Sequence, residues 1–235
     1  MCVQSVISKG FLMNNKIKNI LQLFGAFLGF GILYACKMFY IAGSSHSFFS
    51  LTNVYMPFSG IFGVLGIVIA LVLKASYAYA FSIFSHFFLV YHIPTISASG
   101  YWISRKMELL FGFFVPALCM ILFTVHPIGS QVYQYSFYWF IPMIITLLGV
   151  RSLFARSMAS TFIAHAVGSI IWLHTHPCMT SAQWMALIPV VAYERCLFAC
   201  LMVIGYRVAK DISTMIVSLW KVFVLQSKRF LIYEK

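Results

Sequence analysis

Acidic residues are almost missing. The 235 residues include only four Asp and Glu, and charged residues of both signs make up 9% of the chain. A soluble domain usually devotes about 25% of its residues to charge, so a water-facing surface cannot be built over this sequence. The shortage excludes a soluble globular protein. It does not point to disorder, because 24 Phe, 13 Tyr and 5 Trp supply more apolar surface than an unfolded chain tolerates. The six cysteines, at 2, 36, 119, 178, 196 and 200, form no CxxC pair and mostly fall inside apolar segments. They read as small buried hydrophobes rather than a disulfide or metal framework. No GxxxxGK[ST] phosphate loop, GxSxG elbow or paired-aspartate motif occurs, so nucleotide hydrolysis and intramembrane hydrolase or transferase chemistry lack their usual residues. No internal repeat, low-complexity tract or linker divides the chain.

Apolar length is what the sequence has in excess. The apolar set makes up 62% of the residues and the mean hydropathy is +0.94. Crossing a hydrocarbon layer of about 30 Å takes about 20 largely apolar residues, and such windows lie at 20–41, 56–73, 107–125, 133–150, 156–173 and 184–208. The first is too long for a signal-peptide core and lacks a small-x-small cleavage site, so it is expected to stay as a helix. A seventh apolar run, 76–93, carries His86, His92 and several Ser and Tyr.

The formal charge of +12 would suggest nucleic acid in a soluble protein. Here the basic residues sit between apolar runs, where they set topology instead. Lys9, Lys16 and Lys18 place the N-terminus in the cytoplasm. With six spans, Lys74, Arg105 and Lys106, then Arg151 and Arg156, then the tail with Arg207, Lys210, Lys221, Lys228 and Arg229 all fall on that side. The three outward loops, 42–55, 126–132 and 174–183, then contain no Lys, Arg, Asp or Glu. A spanning 76–93 would move every later basic loop outside. The expected fold is therefore an all-α polytopic bundle of about six transmembrane helices, both termini cytoplasmic, with 76–93 interfacial, re-entrant or a broken extension of the second helix. Residues 1–19 form a basic cytoplasmic N-terminus, 20–208 the transmembrane domain and 209–235 a basic amphipathic helix. In that tail Ile212, Met215, Ile216, Leu219 and Phe223 recur at helical spacing, as in helices held on anionic lipid. The chain is expected in the inner, cytoplasmic membrane, in contact with lipid and with no nucleic-acid partner.

Chemistry is sparse and buried. Glu194 and Arg195 lie near mid-membrane, where an ionisable group costs about 2.5–3.5 kcal/mol on insertion scales and turns to a cavity or a partner. Neighbours on a helix point roughly 100° apart, so each is expected to meet a different helix, either as a structural interhelical ion pair or as part of a ligand site. Lys37, one turn from the outer end of the first helix, either snorkels outward or faces an external cavity suited to a carboxylate or phosphate. The external loops carry His46, His126, His174 and His176, and His165 lies within 156–173. No HExxH or similar ligand spacing accompanies them, so no metal is expected. Gly25 and Gly29 make a small-xxx-small face, and Pro57, Gly60, Gly63 and Gly66 follow the first outward loop. Such faces let helices approach closely, within the chain or toward another subunit.

These features together resemble the substrate-binding membrane subunits (S components) of energy-coupling factor vitamin transporters. The likeness runs from about 20 to 208 and rests on the Gly25/Gly29 face, the Pro57/Gly60/Gly63/Gly66 run, Ser160-Thr161-Phe162-Ile163-Ala164-His165-Ala166-Val167-Gly168-Ser169 and Pro189-Val190-Val191-Ala192-Tyr193-Glu194-Arg195. No vitamin-specific signature is matched. The resemblance implies six helices, no ATPase in this chain, no catalytic residues, no cofactor, and a small vitamin- or metabolite-like substrate held near the outer face. It implies Lys37, Asn53, His165, Glu194 and Arg195 as ligand contacts, and Gly25 with Gly29 as the contact for a transmembrane coupling subunit driven by ABC-type ATPases. Two other classes compete. One is a non-catalytic assembly or scaffold protein in which Glu194 and Arg195 lock helices together; the other is an intramembrane metal, haem or quinone enzyme using the histidines.

Overall fold

The computed structural model describes residues 37–40, 48–50, 60, 63–80, 88–176 and 178–233. By its internal contacts the chain divides into two units, Ser50–Ile204 and a second comprising Met1–Phe49 with Gly205–Lys235. Two short strands, β1 (Lys37–Tyr40) and β2 (Phe48–Ser50), pair with each other. The far end of the expected first span is thus extended rather than helical. Both strands are rich in aromatics, Phe39 and Tyr40 in one and Phe48 and Phe49 in the other, and such residues favour a pleated ribbon.

The larger unit is helical: α1 (Gly63–Ala80), α2 (Phe88–Gly100), α3 (Arg105–Leu109), a π turn (Leu110–Phe114), α4 (Val115–Val125), α5 (Pro127–Gln131), a 3-10 turn (Tyr133–Trp139), α6 (Phe140–Leu147), α7 (Leu153–Thr175) and α8 (Ser181–Tyr233), whose later part belongs to the second unit. Local chemistry sets the boundaries. The Ser104 hydroxyl accepts from Met107 N at 3.4 Å, Ser152 from Ala155 N at 3.2 Å, and His126 Nδ1 from Ile128 N at 3.2 Å ahead of Pro127. Each supplies an acceptor for an orphan N–H of a helix start. At the other end of α6, Gly149 takes φ +64, and the bonds Gly149 N to Thr146 O and Val150 N to Ile145 O close a Schellman turn.

Among the described residues, three helices are long and apolar enough to cross a membrane: Gly63–Ala80, Arg105–Val125 and Ser181–Arg207. Each carries large apolar side chains on its exposed side, such as Val64 and Leu65, Leu118 and Ile121, and Val190 and Ile204. Along Arg105–Val125 the buried positions are Glu108, Gly112, Pro116, Cys119 and Phe123, while Leu110, Phe114, Leu118, Ile121 and Val125 are exposed. A contiguous exposed apolar stripe of this kind suits lipid. The π turn lies where this helix meets its neighbours: a Cβ on Gly112 would overlap the Thr146 hydroxyl of α6.

The 23-residue α7 spans about 35 Å at 1.5 Å per residue and forms the axis of the unit, packed by α2, α4 and α6. Its buried residues mix Ser157, Ser160, Thr161 and Ser169 with Ala159, Phe162, Ile163, Ala166 and Leu173. Helix α2 runs antiparallel along it. The Trp102 indole donates to Ser160 Oγ at 3.1 Å, Ser160 donates to Ala98 O at 3.2 Å, and Pro94 reaches Gly168 further up. The run 76–93 therefore contributes the last turns of α1 and the first of α2, with 81–87 outside the described residues.

The bundle has two chemically distinct ends. At one, the Glu108 carboxylate receives Arg105 Nη1 at 2.8 Å and Arg151 Nη1 at 2.7 Å, and the Arg156 guanidinium lies 4.3 Å from the Trp102 ring centroid. Burial pushes the neighbouring Tyr101 phenol above its ordinary pKa. At the other end His126 and His174 meet with ring centroids 5.3 Å apart. Loops 101–106 and 148–152 thus share one end, and 126–132 and 174–180 the other. Lys74 departs from the expected pattern. It is not in a loop but in α1, on the same buried face as Ile67, Ala70 and Ala78, and only 5% exposed.

A candidate binding site at the middle of helix α7

Thr161, His165, Gly168 and Trp172 recur every three or four residues on α7 and so share one face. The 3-10 turn brings Tyr135 to that face, where its hydroxyl lies 3.4 Å from Ser169 Oγ. Helix α8 brings Trp184 and Arg195. Between them lies a cavity of about 290 Å³ lined by Tyr135, His165, Ser169, Trp172, Trp184 and Arg195. A second cavity of about 380 Å³, lined by His92, Thr95, Ser160, Thr161 and Phe198, adjoins it, and both include Ala164 and Arg195 in their walls.

Aromatic packing holds the floor. Phe123 stacks on Tyr135 with centroids 5.6 Å apart and meets Trp139 and Trp184 edge-on, both at 5.4 Å, while Tyr135 meets Trp184 at 4.9 Å. Rings of this size have few rotamers, so the cavity wall is rigid.

Glu194 and Arg195 do pair with each other: Arg195 Nη2 lies 2.6 Å from Glu194 Oε2, with 15% and 22% of their side chains exposed. The expectation that each would meet a different helix is overturned. The angular offset between neighbours is real, but the long Arg side chain bends back, and its guanidinium also covers the Phe198 ring at 4.5 Å. An ion pair between adjacent residues of one helix cannot lock two helices together.

The pairing leaves donors over. Three polar atoms on residues lining the smaller cavity are out of solvent and have no hydrogen-bond partner among the described residues: His165 Nε2, Trp184 Nε1 and Arg195 Nε. Leaving a buried donor unmade costs about 1–3 kcal/mol, and three of the residues that line this cavity each carry such an atom. Arg195 is near enough to His165 to interact with it electrostatically, and His92 on the larger cavity is similarly within reach of Lys74.

Of the residues singled out in the sequence, His165, Glu194 and Arg195 thus come together. Lys37 lies in β1 of the other unit, and Asn53, Gly25 and Gly29 lie outside the described residues. The histidine hypothesis finds a His126–His174 ring contact and His176 stacked on Trp172 at 3.6 Å. No group of three or more His, Cys, Asp or Glu able to hold a metal occurs among the described residues. The α7 face was visible as a spacing of Thr161, His165 and Trp172. Nothing in the sequence marked Tyr135 or Trp184, because an aromatic in an apolar run is ordinarily core.

Comparison with protein-family models, with curated proteins and with solved structures found no match.

Proposed function

We propose that the chain is a multi-pass protein of the cytoplasmic membrane that binds a small molecule at mid-depth, as the substrate-binding subunit of an uptake system energised by partner subunits. One observation carries the binding role: a cavity of about 290 Å³ is lined by His165, Trp184 and Arg195, each of which has a buried polar atom without a hydrogen-bond partner among the described residues. Pockets of roughly 300 Å³ and upward are the usual size for small ligands. Uptake comes from the S-component resemblance, as do Lys37 and Asn53 as further ligand contacts and Gly25 with Gly29 as the docking face for a coupling subunit. The role is binding rather than catalytic.

The orientation follows from charge. The end with Arg105, Arg151 and Arg156 faces the cytoplasm by the positive-inside rule, and the end with His126 and His174 faces outward. Six crossings with both termini inside is the count read from the spacing of the basic residues. Cys178, exposed beside the histidine end, should then react with a membrane-impermeant maleimide on intact spheroplasts. Protection of Cys178 until the membrane is permeabilised would invert the topology.

Native mass spectrometry of the full chain, purified in mild detergent, tests the binding role. A retained small molecule is expected, and co-purified ATPase subunits are expected when the chain is isolated from its own host. A bare chain from several growth conditions would overturn it.

A further inference from the structure

We infer that the basic end of the bundle holds an anionic phospholipid, with its headgroup on Arg105, Lys106 and Arg151 and its acyl chains on the leucines one turn deeper. The inference is independent of the cavity and rests only on the chain lying in a membrane. It starts from charge. Residues 101–156 carry four cations, Arg105, Lys106, Arg151 and Arg156, against one anion, Glu108. Arg156 lies over the Trp102 ring, and the other three are exposed. Glu108 takes Arg105 on one carboxylate oxygen and Arg151 on the other, so two guanidiniums from distant parts of the chain sit side by side. One of them would neutralise the carboxylate. The second, with Lys106 next to Arg105 on the same helix, leaves surplus positive charge at one point on the surface. Each arginine spends one Nη1 on Glu108 and makes no other hydrogen bond or ion pair among the described residues. The rest of both forks is open to an acceptor, and a phosphate group matches a guanidinium fork with two parallel N–H bonds.

Position decides where the phosphate comes from. Arg105 opens Arg105–Val125, a helix long and apolar enough to cross a bilayer, so these cations stand at the depth of lipid headgroups. One turn below Arg105 on the same face is Leu109, and one turn below Lys106 is Leu110, both exposed. The end of α6 meets the same place: a Cβ built on Gly149 would stand 3.9 Å from Arg105 Nη2, and Leu148 beside it is exposed. A free phosphate gains nothing from these leucines, whereas the acyl chains of a bound lipid continue down onto them. A zwitterionic headgroup brings its own cation to a point already rich in them. The sidedness of basic loops asks only for basic residues at this end; it does not ask for two forks gathered on one buried carboxylate.

The test uses the full chain in mild detergent, stripped of lipid and followed by native mass spectrometry. It is titrated with phosphatidylglycerol, with phosphatidylcholine of the same acyl chains, and with glycerol phosphate. The first phosphatidylglycerol is expected to bind at least about tenfold tighter than the first phosphatidylcholine, since each cation at an anionic headgroup is worth up to about fivefold. Added salt should shrink that preference, and glycerol phosphate should leave no adduct at concentrations where the lipid saturates. Lys106→Gln removes an exposed cation that bonds to nothing among the described residues, and should lower the preference by about three- to fivefold. Arg151→Lys keeps a cation on Glu108 and the folded yield but loses the fork, and should lower it by about two- to threefold. Thermal unfolding of both variants close to that of the parent is expected. Equal binding of the two lipids, or a preference untouched by both variants, would overturn the site. A preference that falls with Lys106→Gln but not with Arg151→Lys would report diffuse charge and overturn the assignment to the paired guanidiniums. Glycerol phosphate binding as tightly as the lipid would overturn the lipid as the source of the phosphate.

Discussion

Replacing Arg105 and Arg151 together by methionine is expected to destabilise the purified protein by about 3–5 kcal/mol, the range for stripping the partners from a buried charge. Glu108→Gln should cost clearly less. The asymmetry follows from where each partner sits. The Glu108 side chain is 2% exposed, whereas Arg105 and Arg151 are 54% and 56% exposed. Without its partners the carboxyl group is left unpaired in a place water cannot reach. Without the carboxylate both guanidiniums still have water, so the loss is that of two half-exposed ion pairs, which are individually worth about 1 kcal/mol or less, plus an imperfectly satisfied amide. Thermal unfolding in detergent, followed by circular dichroism, checks the order. Equal losses in the two variants would mean that desolvation of Glu108 is not what makes this bridge matter. The single variants Arg105→Met and Arg151→Met should fall between, since either guanidinium alone still neutralises the carboxylate.

Phe123→Ala should cost about 2–4 kcal/mol, and the effect should reach the cavity. Truncating a buried Phe in a water-soluble core costs about 3–5 kcal/mol. Part of that is hydrophobic transfer, and it shrinks where the alternative surroundings are lipid tails rather than water. What survives is lost packing: Phe123 is fully buried and touches Tyr135, Trp139 and Trp184. The resulting void has no atoms to fill it. Tyr135 and Trp184 line the proposed binding cavity, so their loosening should lower retention of any bound molecule. Phe123→Leu, which restores most of the volume but no ring, is the informative companion. It should recover most of the stability while ligand retention stays reduced. Full recovery of both would show that ring geometry at this position has no bearing on the site.

Much of the fold was legible because membrane helices are written in runs. The windows 107–125 and 184–208 correspond to helices that are long and apolar enough to cross a bilayer, and the outward-facing stripe on Arg105–Val125 follows from composition alone. The shared end of Arg105 and Arg151 was likewise implied by the distribution of basic residues. Lys74 was misplaced for a specific reason. A lysine at the edge of an apolar run looks like the start of a loop, yet α1 continues to Ala80 and turns Lys74 onto its buried face with Ala70 and Ala78. Hydropathy windows measure length and cannot measure facing. The strand at Lys37–Tyr40 escaped for a related reason, since aromatic apolar residues serve a helix in lipid and a pleated ribbon equally well.

The sequence by itself determined the physical class of the protein: too little charge for a water-facing surface, apolar runs of bilayer length, and basic residues grouped so that the two ends of the bundle differ. These are sums and periods along one chain, and no partner is needed to compute them. The tertiary structure alone decided which buried groups meet. It turned Arg195 back onto Glu194, set two half-exposed arginines on the carboxylate of Glu108, and gathered His165, Trp184 and Arg195 around one cavity with polar atoms left over. Such encounters depend on helix rotation and crossing, which are fixed by packing between segments far apart in sequence and leave no local trace in it.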